Sequence, residues 1–125
     1  MDPFYVLDDA GNPISNLLFQ SVYANTETGD QIIQVGSDVN DLSNVVIQTY
    51  PVDSSLIPNS MRDASAESYK YIELSLNEVG YSNKITIDSI PYGTYKKIYV
   101  KLDVPDYADE GNFLCGIKVT ATYLN

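Results

Sequence analysis

Histidine and tryptophan are both absent from these 125 residues, cysteine occurs once, and no Lys or Arg appears before Arg62. Each absence removes a class of function. Without an imidazole, Ser-His-Asp and Cys-His catalytic arrangements cannot be built, and one thiol cannot supply a standard zinc set. A single Cys also forbids an internal disulfide, and Cys115 falls on an alternating apolar face where a free thiol behaves as a small hydrophobe. No stretch approaches the ~20 apolar residues of a membrane span, and the N-terminal residues lack the basic and apolar regions of a secretory leader. Synthesis in a cytosol is therefore expected, with any exit by assembly and lysis.

The shortage of basic residues leaves 17 acids against 7 bases, a net charge of −10. Eight of the acids lie in the first 61 residues, where no cation balances them. Nucleic acid is a poor partner for such a surface, because phosphate binding rests on Lys and Arg, and an anionic membrane is disfavoured too. The acidity serves solubility and colloidal repulsion, or it meets a basic partner surface. The six lysines, from Lys70 to Lys118, all lie in the second half. Positive-to-negative packing of copies and ordinary strand-edge protection both account for them.

What the chain does have is alternation. In residues 95–104, Ile98, Val100, Leu102 and Val104 point one way while Tyr99, Lys101 and Asp103 point the other, the period of a strand with one buried face. Residues 113–124 repeat the pattern. Further extended runs are expected at 4–7, 17–23, 31–36, 45–50, 69–76 and 83–90, with Ile33 and Val35, Val45 and Ile47, Ile72, Leu74 and Leu76, and Ile85 and Ile87 as inward pairs or triplets. Turn residues separate them, as in residues 8–13 and 25–30. Residues 51–68 read as a surface crossover, with Leu56, Ile57 and Met61 against an end of the core and one helical turn at most. The expectation is an all-β, antiparallel, immunoglobulin-like sandwich of seven to eight strands. It forms one domain over 1–125, with residues 1–12 an N-terminal arm or edge strand. At 44% apolar residues, a domain of this length can bury about two thirds of its unfolded surface.

Few residues suggest a site. Asp103, Asp106, Asp109 and Glu110 put four carboxylates in eight residues, as a hard cation would want. Their spacing matches no calcium loop, so a plain turn is the competing reading and cation binding stays open. A carboxylate pair doing acid and base work is conceivable, but no two acids are marked for it. Tyrosine, with 11 of the 14 aromatic residues, combines contact area with a polar tip and suits both strands and interfaces. Tyr71 and Tyr99, opposite the apolar faces of their strands, are the candidates for partner contact, together with Phe4 and Tyr5 on the possible arm.

Two stretches carry a resemblance. Leu18-Phe-Gln-Ser-Val-Tyr-Ala-Asn-Thr26, Ile32-Ile-Gln-Val35 and Leu42-Ser-Asn-Val-Val-Ile47 are similar to the opening strands of bacterial, archaeal and viral immunoglobulin-like modules. Ile90-Pro-Tyr-Gly-Thr94, residues 98–105 and residues 111–122 resemble their closing strands. The resemblance covers about residues 18–123 and carries no ligand site. It implies a module of the kind found in phage decoration, capsid-associated and tail proteins. The expected role is a non-enzymatic structural protein docking in multiple copies on a virion, made in the host cytoplasm. Its partners would be other structural proteins or further copies of itself, with no cofactor, metal or small-molecule substrate. A carbohydrate-binding or adhesive surface module is the alternative.

Overall fold

A computed structural model describes residues 4–14, 16–22, 25–50, 71–104 and 111–123. These form nine strands and no helix: β1 (Tyr5–Asp8), β2 (Asn16–Val22), β3 (Thr26–Glu27), β4 (Gln31–Gly36), β5 (Leu42–Tyr50), β6 (Ile72–Ser75), β7 (Lys84–Ile90), β8 (Tyr95–Val104) and β9 (Gly111–Tyr123). All pairings are antiparallel. The expectations for residues 51–68, for Lys70, and for the acids at 106, 109 and 110 fall outside the described residues.

The count exceeds the expected seven or eight because β3 and β4 lie end to end along β8. Thr26 opposes Val104 and Gln31 opposes Val100, so the register slips by one residue between them. Thr28 bridges the slip: its N–H donates to the Leu102 carbonyl and its Oγ1 accepts from Leu102 N–H, both at 2.9 Å. Asp103 N–H donates instead to Tyr71 O. Successive residues of a strand direct their backbone groups to opposite sides, so β3 and β4 flank β8 on one side and β6 flanks it on the other. The first sheet is thus β1, then β4 with β3, then β8, then β6, and the second runs β2-β9-β5-β7.

The registers are nested. Leu17 opposes Cys115, Gln31 opposes Val100, Ile47 opposes Ile85 and Leu74 opposes Ser82, each pair inside the one before. Among the described residues these pairings make one antiparallel ribbon, doubled back at residues 76–80 and divided between two sheets, which is the strand order of the double Greek key of a jelly roll. Its last strand, β9, sits inside its sheet between β2 and β5. That order differs from an immunoglobulin arrangement, which divides its strands ABED and CFG and leaves the last strand outermost.

Alternation places the core as expected. Ile33, Val35, Ile98, Val100 and Leu102 from the first sheet meet Leu42, Val45, Ile47 and Cys115 from the second, all essentially inaccessible. Two local departures have causes in the backbone. β5 begins at Leu42 rather than at Val45, because Asn44 adopts φ +50° in a bulge where β5 carries one residue more than β9 between Ser43 and Val46. The extra residue lets both Leu42 and Val45 face inward and breaks the period. Leu76, expected inward, is exposed. The chain leaves the ladder there, as Ser75 Oγ accepts from Asn77 N–H and Val79 N–H.

Candidate interaction face

The two sheets present different outer surfaces. On the second sheet the outward residues include Leu18, Val46, Gln48, Tyr50, Thr86, Asp88, Lys118, Thr120 and Thr122, with Leu18 and Tyr50 exposed and Lys118 Nζ 5.6 Å from the Tyr50 ring centroid. On the first sheet, Tyr5 and Leu7 of β1, Ile32 of β4, and Tyr95 and Tyr99 of β8 point outward, each only partly exposed. Their placement follows from register. Val6 opposes buried Val35, which turns Tyr5 and Leu7 out. Ile32 opposes Tyr99, and Tyr5, Gly36 and Tyr95 form one cross-strand row.

Of the four residues expected to contact a partner, the structure brings two to this face. Tyr5 and Tyr99 belong to it. Phe4 turns instead against the core margin, meeting Tyr123 edge to face with centroids 6.3 Å apart at 62°. Tyr71 also packs against the core. It immediately precedes β6, with its carbonyl accepting from Asp103 N–H at 2.9 Å. The N-terminal segment is an edge strand from Tyr5 onward, paired with β4 and folded back through an Asx turn in which Asp8 Oδ1 accepts from Ala10 and Asn12 N–H.

Charge is segregated on the face. Lys97 is exposed, opposite Gln34 toward the start of β8. Toward the end of β8, Glu27, Asp30, Glu73 and Asp103 surround Lys101. Its Nζ lies 2.7 Å from Glu27 Oε1 and 4.0 Å from the centroid of the Tyr81 ring, and its cross-strand neighbour is Glu73. Tyr81 donates its hydroxyl to Asp30 Oδ1 at 2.8 Å. Burial raises the Glu73 carboxyl above its ordinary range, with Asp103 adding to the shift and Lys101 opposing it. Desolvation and the Asp30 hydrogen bond push the Tyr81 phenol up to about 12. The bond to Glu27 raises Lys101. Tyr95 is raised by partial burial and by Asp38.

Sequence reasoning counted Tyr95 among the clustered tyrosines of the second half without singling it out for contact, and it missed Ile32 and the Glu27–Lys101 pair as members of this face. The alternation of residues 31–36 contained the signal for Ile32, while Glu27 stood inside a polar turn and acquires its partner only through the two-residue strand β3. An open cleft of about 370 Å³ adjoins the face, with Asp8, Asp9 and Asp30 among its lining residues. Among the described residues, no three of His, Cys, Asp and Glu converge as metal ligands would. No family model, curated protein or solved structure matches the chain.

Proposed function

We propose that this chain is a non-enzymatic structural protein that docks in multiple copies on a larger assembly through the outer face of its β1–β4–β8–β6 sheet. The assembly is a virion, on which the protein serves as head decoration, minor capsid or tail component, after synthesis in the host cytoplasm. The contrast between the two outer faces carries the reading. The first sheet gathers Tyr5, Leu7, Ile32, Tyr95 and Tyr99 in adjacent cross-strand positions, where the second sheet has Leu18, Val46 and Tyr50 spaced among Thr, Gln and Lys, and a contiguous aromatic and aliphatic set suits a contact surface. The jelly-roll order adds a fold-level analogy, since viral capsid and lectin domains share it.

Electron microscopy and mass spectrometry of purified particles test this reading. The expected result is the chain at stoichiometric copy number with Tyr5 and Tyr99 covered. A chain confined to the soluble fraction would remove the virion role, and both tyrosines facing solvent on the particle would remove the face.

One observation favours a carbohydrate-binding module as the second reading. Tyr92 is 65% exposed, and its N–H donates to Asp41 Oδ1 at 2.9 Å, which fixes the turn that carries it. Asp41 and Ser89 line an adjoining open cleft of about 260 Å³. An exposed ring beside a carboxylate and a hydroxyl suits a sugar face and its hydroxyls. Titration with pyranosides tests it, with saturable shifts confined to residues around 41 and 89–92 as the expected result and unchanged spectra as the contrary one.

A further inference from the structure

We infer that this chain pairs with a second copy of itself edge to edge, β7 against β7 in antiparallel register about Thr86, so that the four-stranded sheet continues from one copy into the other. The contact lies away from the docking face proposed above and leaves that face open.

The sheet edges differ in what meets them. The outermost strands are β1, β6, β2 and β7. Ile14 N–H donates to Val6 O of β1, Leu74 of β6 exchanges two bonds with Ser82, and Gln31 Nε2 donates to Leu18 O of β2. β7 is open beyond Lys84. Thr49 N–H donates to Asn83 O, which extends the β5–β7 register by one pair, so Asn83, Ile85 and Ile87 turn their backbone groups toward β5. By alternation Lys84, Thr86 and Asp88 direct theirs away from the sheet. Ser82 Oγ reaches the Lys84 carbonyl at 2.7 Å, and among the described residues nothing bonds the outward backbone groups of Thr86 and Asp88. All three side chains are exposed, and Ile85 and Ile87 between them are the most accessible members of the core, at 9% each. Such an edge accepts a further strand.

The order of charges along the edge selects the chain's own β7 as that strand. Lys84 and Asp88 stand two residues on either side of Thr86 on one face, and among the described residues neither has an ion-pair partner. A two-fold axis through the Thr86 pair reverses the strand. It sets Lys84 of each copy directly across from Asp88 of the other, and Thr86 across from Thr86. Opposite charges and paired threonines are both favourable cross-strand neighbours. A pivot on Lys84 or Asp88 opposes like charges, and a pivot on Ile85 or Ile87 separates Lys84 from Asp88, so Thr86 alone matches both. Lys84 by itself would discourage strand addition; with Asp88 four residues on, the edge admits its own sequence and disfavours other charge orders.

The loops flanking β7 fit the same register. It brings Tyr92 of one copy level with Gly80 of the other. Tyr92 is 65% exposed after the end of β7 and Val79 is 73% exposed before its start, so reversal carries each apolar loop toward the other. An open cleft of about 290 Å³ beside Ser82, Lys84 and Ile85, and one of about 260 Å³ beside Ser89, Ile90 and Pro91, leave room at both ends. Pro91 has no N–H to donate and Ser82 is already bonded to Leu74, which confines the shared ladder to residues 84–88. The net charge of −10 on each copy opposes association at long range, so the contact is weak between free molecules and gains weight where an assembly concentrates copies.

Sedimentation of the full chain over a concentration series reaching about 1 mM, with exchange of the Thr86 amide followed over the same series, tests the inference. The expected result is a monomer–dimer equilibrium in which the Thr86 amide gains protection as the dimer forms. Asp88→Lys sets lysine against lysine and is expected to weaken the dimer by about tenfold or more, although it reduces the net negative charge of the chain. Combining it with Lys84→Asp exchanges the two charges, keeps the net charge, and is expected to restore association. Circular dichroism of each variant confirms that the fold is kept, as both side chains are exposed. Edge pairing is overturned by a monomer at every concentration, by a dimer indifferent to Asp88→Lys or not restored by the double exchange, or by a dimer whose Thr86 amide stays unprotected.

Discussion

The Tyr95 ring lies across Gly36, its cross-strand partner, so closely that a methyl group on the glycine would stand 2.9 Å from ring atoms Cγ and Cδ2 and would also strike the Thr94 carbonyl oxygen. The aromatic side chain fills the space the glycine leaves on the sheet, a pairing that protects an otherwise bare stretch of backbone. Gly36→Ala is expected to destabilise the fold by ~1–3 kcal/mol, the range for overpacking, seen as a lower urea midpoint with an unchanged slope. Because the Thr94 contact is with backbone, removing the Tyr95 ring as well should not restore stability. A Gly36→Ala chain as stable as the parent would show that the β4–β8 pairing yields at this row.

Glu73 makes the fold's stability depend on pH in a defined direction. Its carboxyl is raised in the folded state by burial first and by Asp103 next, against the pull of Lys101. The folded chain therefore binds that proton more tightly than the unfolded chain. The associated stability is present below the ordinary value of 4.5 and declines as pH rises through the higher folded value. Glu73→Gln removes the ionisation. Relative to the parent, the variant is expected to gain in urea midpoint as pH goes from acid to neutral, with the difference shrinking toward the acid end. A difference constant with pH would remove Glu73 as the titrating group.

How much of this was legible in sequence depends on how far each contact reaches. The alternation of Ile98, Val100, Leu102 and Val104 is local, and their burial followed from it. Leu76 sits on the same period as Ile72 and Leu74, yet the Ser75 hydroxyl diverts the chain before the period can act. Asn44 breaks the pattern of β5 through a positive φ that its side chain tolerates and its neighbours do not announce. The interaction face was half visible. Tyr99 follows from strand parity, whereas the row of Tyr5, Gly36 and Tyr95 depends on pairings 31 and 59 residues apart in sequence. Sheet order was the least accessible feature, because nested registers leave no mark on any single strand.

Tyr81 links Asp30 and Lys101 through different parts of one side chain, its hydroxyl donating to the carboxylate and its ring facing the ammonium. Phenolate absorbance is expected to report ionisation near 12 rather than the ordinary 10.0. Asp30→Asn should bring it part of the way back, since desolvation, the larger cause, remains. The sign for stability follows: the unfolded chain loses this proton first, so stability declines as pH rises from 10.0 toward 12. Tyr81→Phe keeps the ring beneath Lys101 and loses the hydrogen bond, and it should abolish that decline. A Tyr81 that titrates at its ordinary value would show that the Asp30 bond does not form in solution.

Ser75 is a buried hydroxyl that holds the fold line of the ribbon. Its Oγ donates to the Val79 carbonyl at 2.9 Å and accepts from the N–H groups of Asn77 and Val79 at 3.2 and 3.1 Å. Those bonds turn the chain through Glu78 at φ +66° and Gly80 at φ +67°, returning it to pair Ser82 with Leu74. Glu78, a residue type that rarely adopts the left-handed region, sits between the two residues whose backbone groups Ser75 Oγ engages. Ser75→Ala removes the hydroxyl from the Val79 carbonyl and the Asn77 amide, while Val79 N–H keeps Asn77 Oδ1 at 3.1 Å, and with these groups open to water it is expected to cost ~0.5–1.5 kcal/mol. Hydrogen exchange should locate the loss, with the Asn77 and Val79 amides losing protection first while those of β8 keep theirs. Uniform loss across the sheet would instead mean that the turn and the β6–β8 ladder open together, and that the doubled-back end of the ribbon is part of the global folding unit rather than a locally closed loop.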